Sequence, residues 1–119
     1  LRVINDQWGS PTSAKSIAEA ILKIVESYSK NQDFKFGTYH FSGTPSTNWY
    51  DLARTTCALA YKKGIIDDIP TIKPVPSSTF QTQANRPINS RLNSEKIHKY
   101  FGIKQGKWNN DLDEIIDSL

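Results

Sequence analysis

The chain has 119 residues, with 15 basic and 12 acidic side chains for a formal charge of +3, which fits one domain or a piece of a larger one. Its cations are scattered, Lys62-Lys63 being the one adjacent basic pair, so the basic stripe with interleaved aromatics expected of a nucleic-acid binder is missing. No run of about 18 apolar residues is present to span a membrane, and a lone cysteine, Cys57, cannot close an internal disulfide and fits a reducing, cytoplasmic setting. The chain opens on Leu1 and contains no methionine. It is therefore expected to be a segment of a longer protein, a processed mature chain being the alternative.

Residues 1–5, "LRVIN", predict a short buried strand. The loop that follows, "DQWGSPTSA", mixes an amide, an indole, a glycine, a proline and three hydroxyls, more than an inert turn requires. From Ser13 the apolar residues Ala14, Ile17, Ala18, Ile21, Ile24, Val25 and Tyr28 recur at helical spacing. Pro11 stiffens the entry and Thr12 and Ser13 can cap the free N–H groups. Residues 30–37 read as a polar connection, and residues 37–43, "GTYHFSG", as a strand bracketed by glycines with His40 at a half-buried place in it. A second helix is expected after a cap at Ser46 or Thr47, with Trp49, Leu52, Ala53, Cys57, Ala60 and Tyr61 as its apolar stripe and Gly64 as its stop.

Beyond Gly64 the texture changes. Prolines at 70, 74, 76 and 87 forbid a regular helix, leaving a long loop with one short strand at residues 71–75. A loop of that length inside a compact domain is usually functional or disordered, and its Phe80, Arg86 and Arg91 favour function. Asn93 or Ser94 then caps a short helix through Ile97, Tyr100 and Phe101, stopped at Gly102, and a last helix carries Trp108, Leu112, Ile115, Ile116 and Leu119. Strand–helix alternation of this kind predicts an α/β fold with a few parallel strands and about four helices.

Much familiar chemistry is missing. There is no G-x-G-x-x-G or Walker sequence to cradle a phosphate. Two distant histidines, His40 and His98, with one cysteine do not make a zinc site. Tyr100 and Lys104 spell Y-x-x-x-K, a pair that must sit one helical turn apart for the ammonium to lower the tyrosine pKa. Gly102 lies between them where the helix should end, so the match reads as a decoy. Trp49, Tyr50 and Trp108 are expected in the core.

The stretches "DQWGSPTSA", "GTYHFSG", "TNWYDLA" and "NRPINSRLNSEKIHKYFGI" occur in an order that resembles the C-terminal part of the dTDP-4-dehydrorhamnose reductase family, extended short-chain dehydrogenases/reductases. The most specific pieces are Gln7-x-Gly9-x-Pro11-Thr12 and Arg86-Pro87-x-x-Ser90-x-Leu92. Two departures stand out: Asn85 occupies the place of a first arginine before the proline, and "KQGK" replaces a Leu-Pro before the last tryptophan.

The resemblance implies that residues 1–119 form the substrate-binding part of a larger reductase. An N-terminal Rossmann domain outside this chain would hold NADPH or NADH together with the catalytic tyrosine and lysine. The reaction implied is reduction of dTDP-4-dehydro-L-rhamnose to dTDP-L-rhamnose. The partners implied are a dTDP-sugar and that Rossmann domain, with a homodimer left open. On this reading Gln7 and Trp8 bind the nucleotide sugar from the first loop, while Arg86, Asn89 and Ser90 bind it from the second. Gln7 can donate and accept, Trp8 can stack, and the Arg86 fork suits a diphosphate. The bland alternatives are that the first loop only caps its helix and that Arg86 only ties the long loop to a carboxylate. For the whole chain, the alternatives are a non-catalytic regulatory relative of the same fold or an independent small binding domain.

Overall fold

A computed structural model describes residues 1–30, 34–80 and 83–119 of the chain. Part of the expected 30–37 connection therefore lies outside the described residues. The strands are β1 (Arg2–Ile4), β2 (Trp8–Gly9), β3 (Thr47–Asn48) and β4 (Lys73–Val75), and the helices are α1 (Ala14–Lys30), α2 (Trp49–Lys62), α3 (Glu95–Phe101) and α4 (Trp108–Asp117), with a single 3-10 turn at Ser77–Thr79. Two sheets of two strands result. β1 runs parallel to β4, in the register Arg2 to Lys73 and Ile4 to Val75, and β2 runs antiparallel to β3. Among the described residues the architecture is α/β with few parallel strands and four α-helices, as the alternation predicts.

The helices form for local reasons. The Ser13 hydroxyl accepts the Ser16 N–H at 3.1 Å and caps α1. α2 is capped by Asn48, whose Oδ1 accepts the Asp51 N–H at 2.8 Å, and not by Ser46 or Thr47. Thr47 is instead committed to the ladder opposite Gly9. Gly102, at φ +66°, ends α3 in the left-handed conformation, so Tyr100 is helical while Lys104 lies beyond the helix. The Y-x-x-x-K residues do not share one helix, as the glycine between them suggested.

Residues 37–43 are not a strand. Tyr39 and Phe41 pack against the core formed by Ala20, Ile97 and Ile103 while His40 is exposed. The alternation that imitates a strand arises from packing on helices, and no described strand pairs with this run. Nor is the 1–5 strand buried: Val3 and Ile4 are half-covered and Leu1 is 69 % exposed, because among the described residues only β4 pairs with β1, and α2 packs against the strand without burying it.

The C-terminal helix is tied down by polar contacts. Asp111 of α4 accepts hydrogen bonds from the hydroxyls of Ser13, at 2.6 Å, and Ser16, at 2.8 Å. The Ser13 donation holds its carboxyl below the usual carboxylate range, burial opposing and Ser16 adding to the effect. Lys63 at the end of α2 reaches Asp113, at 2.8 Å, and Asp117. Trp108 is buried, its Nε1 donating to the Pro45 carbonyl at 2.8 Å.

What this chain does not do is close on itself. Its radius of gyration is 17.4 Å, against about 13–14 Å for a compact globule of this length. It exposes 8686 Å², where a folded monomer of this mass exposes roughly 6,500 Å². The periodic stripe of α1 is largely bare: Ile17, Ile21, Val25 and Tyr28 are all exposed. The helix carries the amphipathic pattern correctly, but among the described residues only Ala20 of α1 is buried.

Candidate functional site: a two-lobed crevice between the first loop and the Pro-rich loop

The crevice is built from short strips brought together from distant parts of the chain. β2 leaves the carboxyl end of β1 and pairs on one side with β3, Trp8 opposite Asn48 and Gly9 opposite Thr47. On its other side Trp8 forms a parallel bridge with Asn89: the Trp8 N–H donates to the Ile88 carbonyl at 2.8 Å, and the Ser90 N–H donates to the Trp8 carbonyl at 2.9 Å. The backbone of Trp8 is thus clamped from both sides. The Ser90 hydroxyl adds a third bond to the Trp8 carbonyl at 3.1 Å. A Cβ on Gly9 would lie 2.9 Å from that hydroxyl oxygen, so a larger residue there would require the Ser90 hydroxyl to shift.

The Pro-rich loop is anchored at its other end by Asp6, whose carboxylate accepts the Ser77 N–H at 2.9 and 3.0 Å and the Ser77 hydroxyl at 3.0 Å. The loop consequently folds back over the end of β1 and brings Arg86 to Gln7. A cavity of about 380 Å³ lies between the loops, lined by Gln7, Trp8, Gly9, Ser10, Pro11, Thr47, Asn48, Trp49, Leu52, Arg86, Pro87 and Ser90. A wider lobe of about 1020 Å³ adjoins it and shares Gln7, Trp49 and Arg86, adding Arg2, Ser77, Ser78, Phe80, Gln83 and Asn85 among its walls.

Four of the five residues expected to form a site, Gln7, Trp8, Arg86 and Ser90, converge on the smaller cavity. Asn89 does not line either lobe. Its Oδ1 instead accepts from the Arg91 N–H at 3.1 Å and the Arg91 Nε–H at 2.9 Å, so it shapes the loop. Trp49 is a correction. Expected in the core, it is 53 % exposed and lines both lobes, on a helix of which no described residue is buried. Thr47, Asn48 and Leu52 were likewise not expected at a site. The only available signal was the Asn48–Trp49 junction, an N-cap residue followed at once by a large aromatic.

The electrostatics are simple. Among the described residues no acidic side chain lines either lobe. Among the described residues Arg86 forms no ion pair, so the carboxylate tether considered for it is not found there. Arg2 stands over the Phe80 ring at 5.8 Å in the wider lobe. A fork-shaped cation facing a partly apolar cleft, with a second arginine in the wider lobe, suits an anionic, partly planar ligand. Among the described residues no group of histidine, cysteine or carboxylate side chains could hold a metal ion.

A family model, the RmlD substrate binding domain, matches residues 1–119. A dTDP-4-dehydrorhamnose reductase of Aggregatibacter actinomycetemcomitans is 34 % identical over 115 residues, covering 97 % of this chain and 39 % of that protein. A crystal structure of a dTDP-4-dehydrorhamnose reductase from Clostridium acetobutylicum superposes with a TM-score of 0.80 at 28 % identity, covering 99 % of this chain and 38 % of the other. A Bacillus anthracis dTDP-4-dehydrorhamnose reductase, solved in complex with NADP, shares the fold at a TM-score of 0.77 and 24 % identity, covering 100 % and 38 %. The chain spans about two-fifths of the length of these relatives. With the model matched from end to end, and with the crevice built from the residues that carry the resemblance, the chain belongs to the RmlD substrate-binding domain family.

Proposed function

We propose that this chain is the substrate-binding part of an NAD(P)H-dependent sugar-nucleotide reductase, and that its crevice holds and orients dTDP-4-dehydro-L-rhamnose for reduction to dTDP-L-rhamnose. The observation that carries this reading is the convergence of Gln7, Trp8, Arg86 and Ser90 on one cavity, in a chain similar to reductases of that name. Arg86 provides a bidentate fork for the diphosphate, Gln7 a donor and acceptor for a sugar or base edge, Trp8 an apolar wall, and Ser90 the bond that holds Trp8 in place. Asn89 contributes through the loop it fixes. Holding the reactants near their reacting geometry is itself catalytic, because the entropy of orientation is lost on binding rather than in the chemical step.

The residues of this chain do not fit a dinucleotide. The first loop, from β1 into α1, carries a single glycine, and Gly9 faces the Ser90 hydroxyl instead of an open cradle. NADPH or NADH therefore belongs to a Rossmann domain outside this chain. That domain would also cover the bare stripe of α1 and the unpaired edge of β1. No helix of the described residues is long and apolar enough to cross a membrane, and the lone, half-buried Cys57 thiol suits a reducing cytoplasm. A homodimer is compatible with the wide uncovered surface.

Arg86→Lys in the intact reductase tests the reading, since it keeps the charge and removes the fork. KM for the dTDP-sugar should rise about tenfold, the loss of one good charge-assisted contact, while the melting temperature stays unchanged because Arg86 is exposed. A fall in melting temperature with an unchanged KM would return Arg86 to a purely structural role.

A further inference from the structure

We propose that Trp49 is the stacking surface for the nucleobase of the bound ligand, an inference that rests on the crevice being a nucleoside-diphosphate-sugar site. The argument begins at the root of the side chain. Trp49 is the first residue of α2, directly after its cap. Asn48 is fixed twice, its Oδ1 accepting the Asp51 N–H and its Nδ2 donating to Asp51 Oδ2, both at 2.8 Å. It is fixed a third time by its pairing with Trp8. The indole therefore grows from a rigid corner, yet more than half of it is uncovered. No ring among the described residues stacks on it. An immobile root with an open aromatic face is a preorganised platform.

Position then selects the ligand group. Trp49 and Arg86 both line the two lobes, so they stand at the junction, a flat apolar face beside a fork-shaped cation. A nucleoside diphosphate has the matching pair of features within one molecule, a ring with a π-face and a diphosphate. The rest of the smaller lobe, with Trp8, Pro11, Leu52 and Pro87, suits the ring. The hydroxyls and amides of the wider lobe, Ser77, Ser78, Gln83 and Asn85, suit a hydroxyl-rich sugar. Trp8 lines only the smaller lobe and is less exposed than Trp49, which makes Trp49 the principal stacking face.

The intact reductase and its Trp49→Ala and Trp49→Phe variants are titrated with dTDP and, separately, with inorganic pyrophosphate, following heat and indole fluorescence. Trp49→Ala should weaken dTDP roughly 5- to 150-fold, the span of base–aromatic stacking, and leave pyrophosphate unchanged. Trp49→Phe, which retains a ring, should lose under about fivefold in affinity, and its fluorescence quench by dTDP should fall by more than half. The proposal is overturned if dTDP binds Trp49→Ala as tightly as the wild type, if dTDP and pyrophosphate weaken by the same factor, or if Trp49→Phe keeps the full quench. Should the wild-type reductase itself fail to bind dTDP, the reading of the crevice falls before any variant is considered.

Discussion

Gly43 offers a sharp test of how the crevice is held open. A Cβ placed on it would lie 2.1 Å from the Pro11 carbonyl oxygen and 3.3 Å from the Pro11 carbonyl carbon. Ordinary contact is about 3.4 Å or more, so Gly43→Ala demands a separation of over about 1 Å between two backbone segments. Neither yields easily. Gly43 is buried and donates its N–H to the Thr12 hydroxyl at 2.9 Å. Its neighbour Thr44 is bonded through its N–H to the Gly106 carbonyl at 2.9 Å and through its carbonyl to the Trp108 N–H at 3.1 Å. Overpacking of this kind costs about 1–3 kcal/mol, and losing the bond to Thr12 about 0.5–1.5 kcal/mol more. Reduced freedom of the unfolded chain returns about 0.4–1 kcal/mol. The net expectation is a destabilisation of about 0.5–4 kcal/mol, centred on roughly 2, read as a lower urea midpoint with an unchanged denaturant slope. Because Pro11 lines the smaller lobe, affinity for dTDP should fall in the same variant. Gly64→Ala is the control: Gly64 has φ +71° but no atom within 4 Å of the added carbon, so only a backbone cost of about 1 kcal/mol is expected, with no effect on dTDP. If Gly43→Ala unfolds within about 0.5 kcal/mol of the wild type, the close approach at Pro11 does not constrain the loop and the reasoning fails.

Two further predictions concern the periphery. Asp111 has a folded-state pKa below its ordinary 3.8, so it stabilises the fold fully above that value and loses the contribution as pH falls through the lowered one. The stability gap between wild type and Asp111→Asn should accordingly shrink from about pH 5 towards pH 3 in urea titrations, and a gap constant over that range would contradict the role given to Ser13. Tyr100→Phe should leave kcat and its pH profile unchanged in the intact reductase, since Tyr100 sits on α3 beside Tyr39, with ring centroids 6.1 Å apart, and lines neither lobe. A kcat loss of tenfold or more would restore the Tyr100–Lys104 pair as chemistry.

The helices were legible because a 3.6-residue period survives even where its face stays bare, as in α1, and because Ser13 and Gly102 carry local start and stop signals. The β1–β4 pair was legible as two short runs, although their pairing was not. The two-residue strands β2 and β3 could not be read, since a strand that short is defined by its partner and not by its own residues. Residues 37–43 misled because burial of Tyr39 and Phe41 against helices reproduces the period of a sheet. The cap of α2 was misplaced because Ser46, Thr47 and Asn48 can all cap, and the choice of Asn48 shows only in the bond its Oδ1 accepts from the Asp51 N–H. At the crevice, Gln7 and Arg86 were found through the resemblance and their loop chemistry. Trp49 was missed because a helical stripe says which side is apolar, not whether anything covers it.

The wall around Trp8 is assembled from three strips whose first and last members, Trp8 and Ser90, are bonded across most of the chain. Bringing such remote strips together loses chain entropy before any contact compensates it. During synthesis the pocket therefore cannot exist until the ribosome has released Ser90, however early Gln7 emerges. Once closed, it is a place where substrate concentration itself becomes a stabilising force, since a ligand that binds only the assembled wall draws the folding equilibrium towards it by mass action.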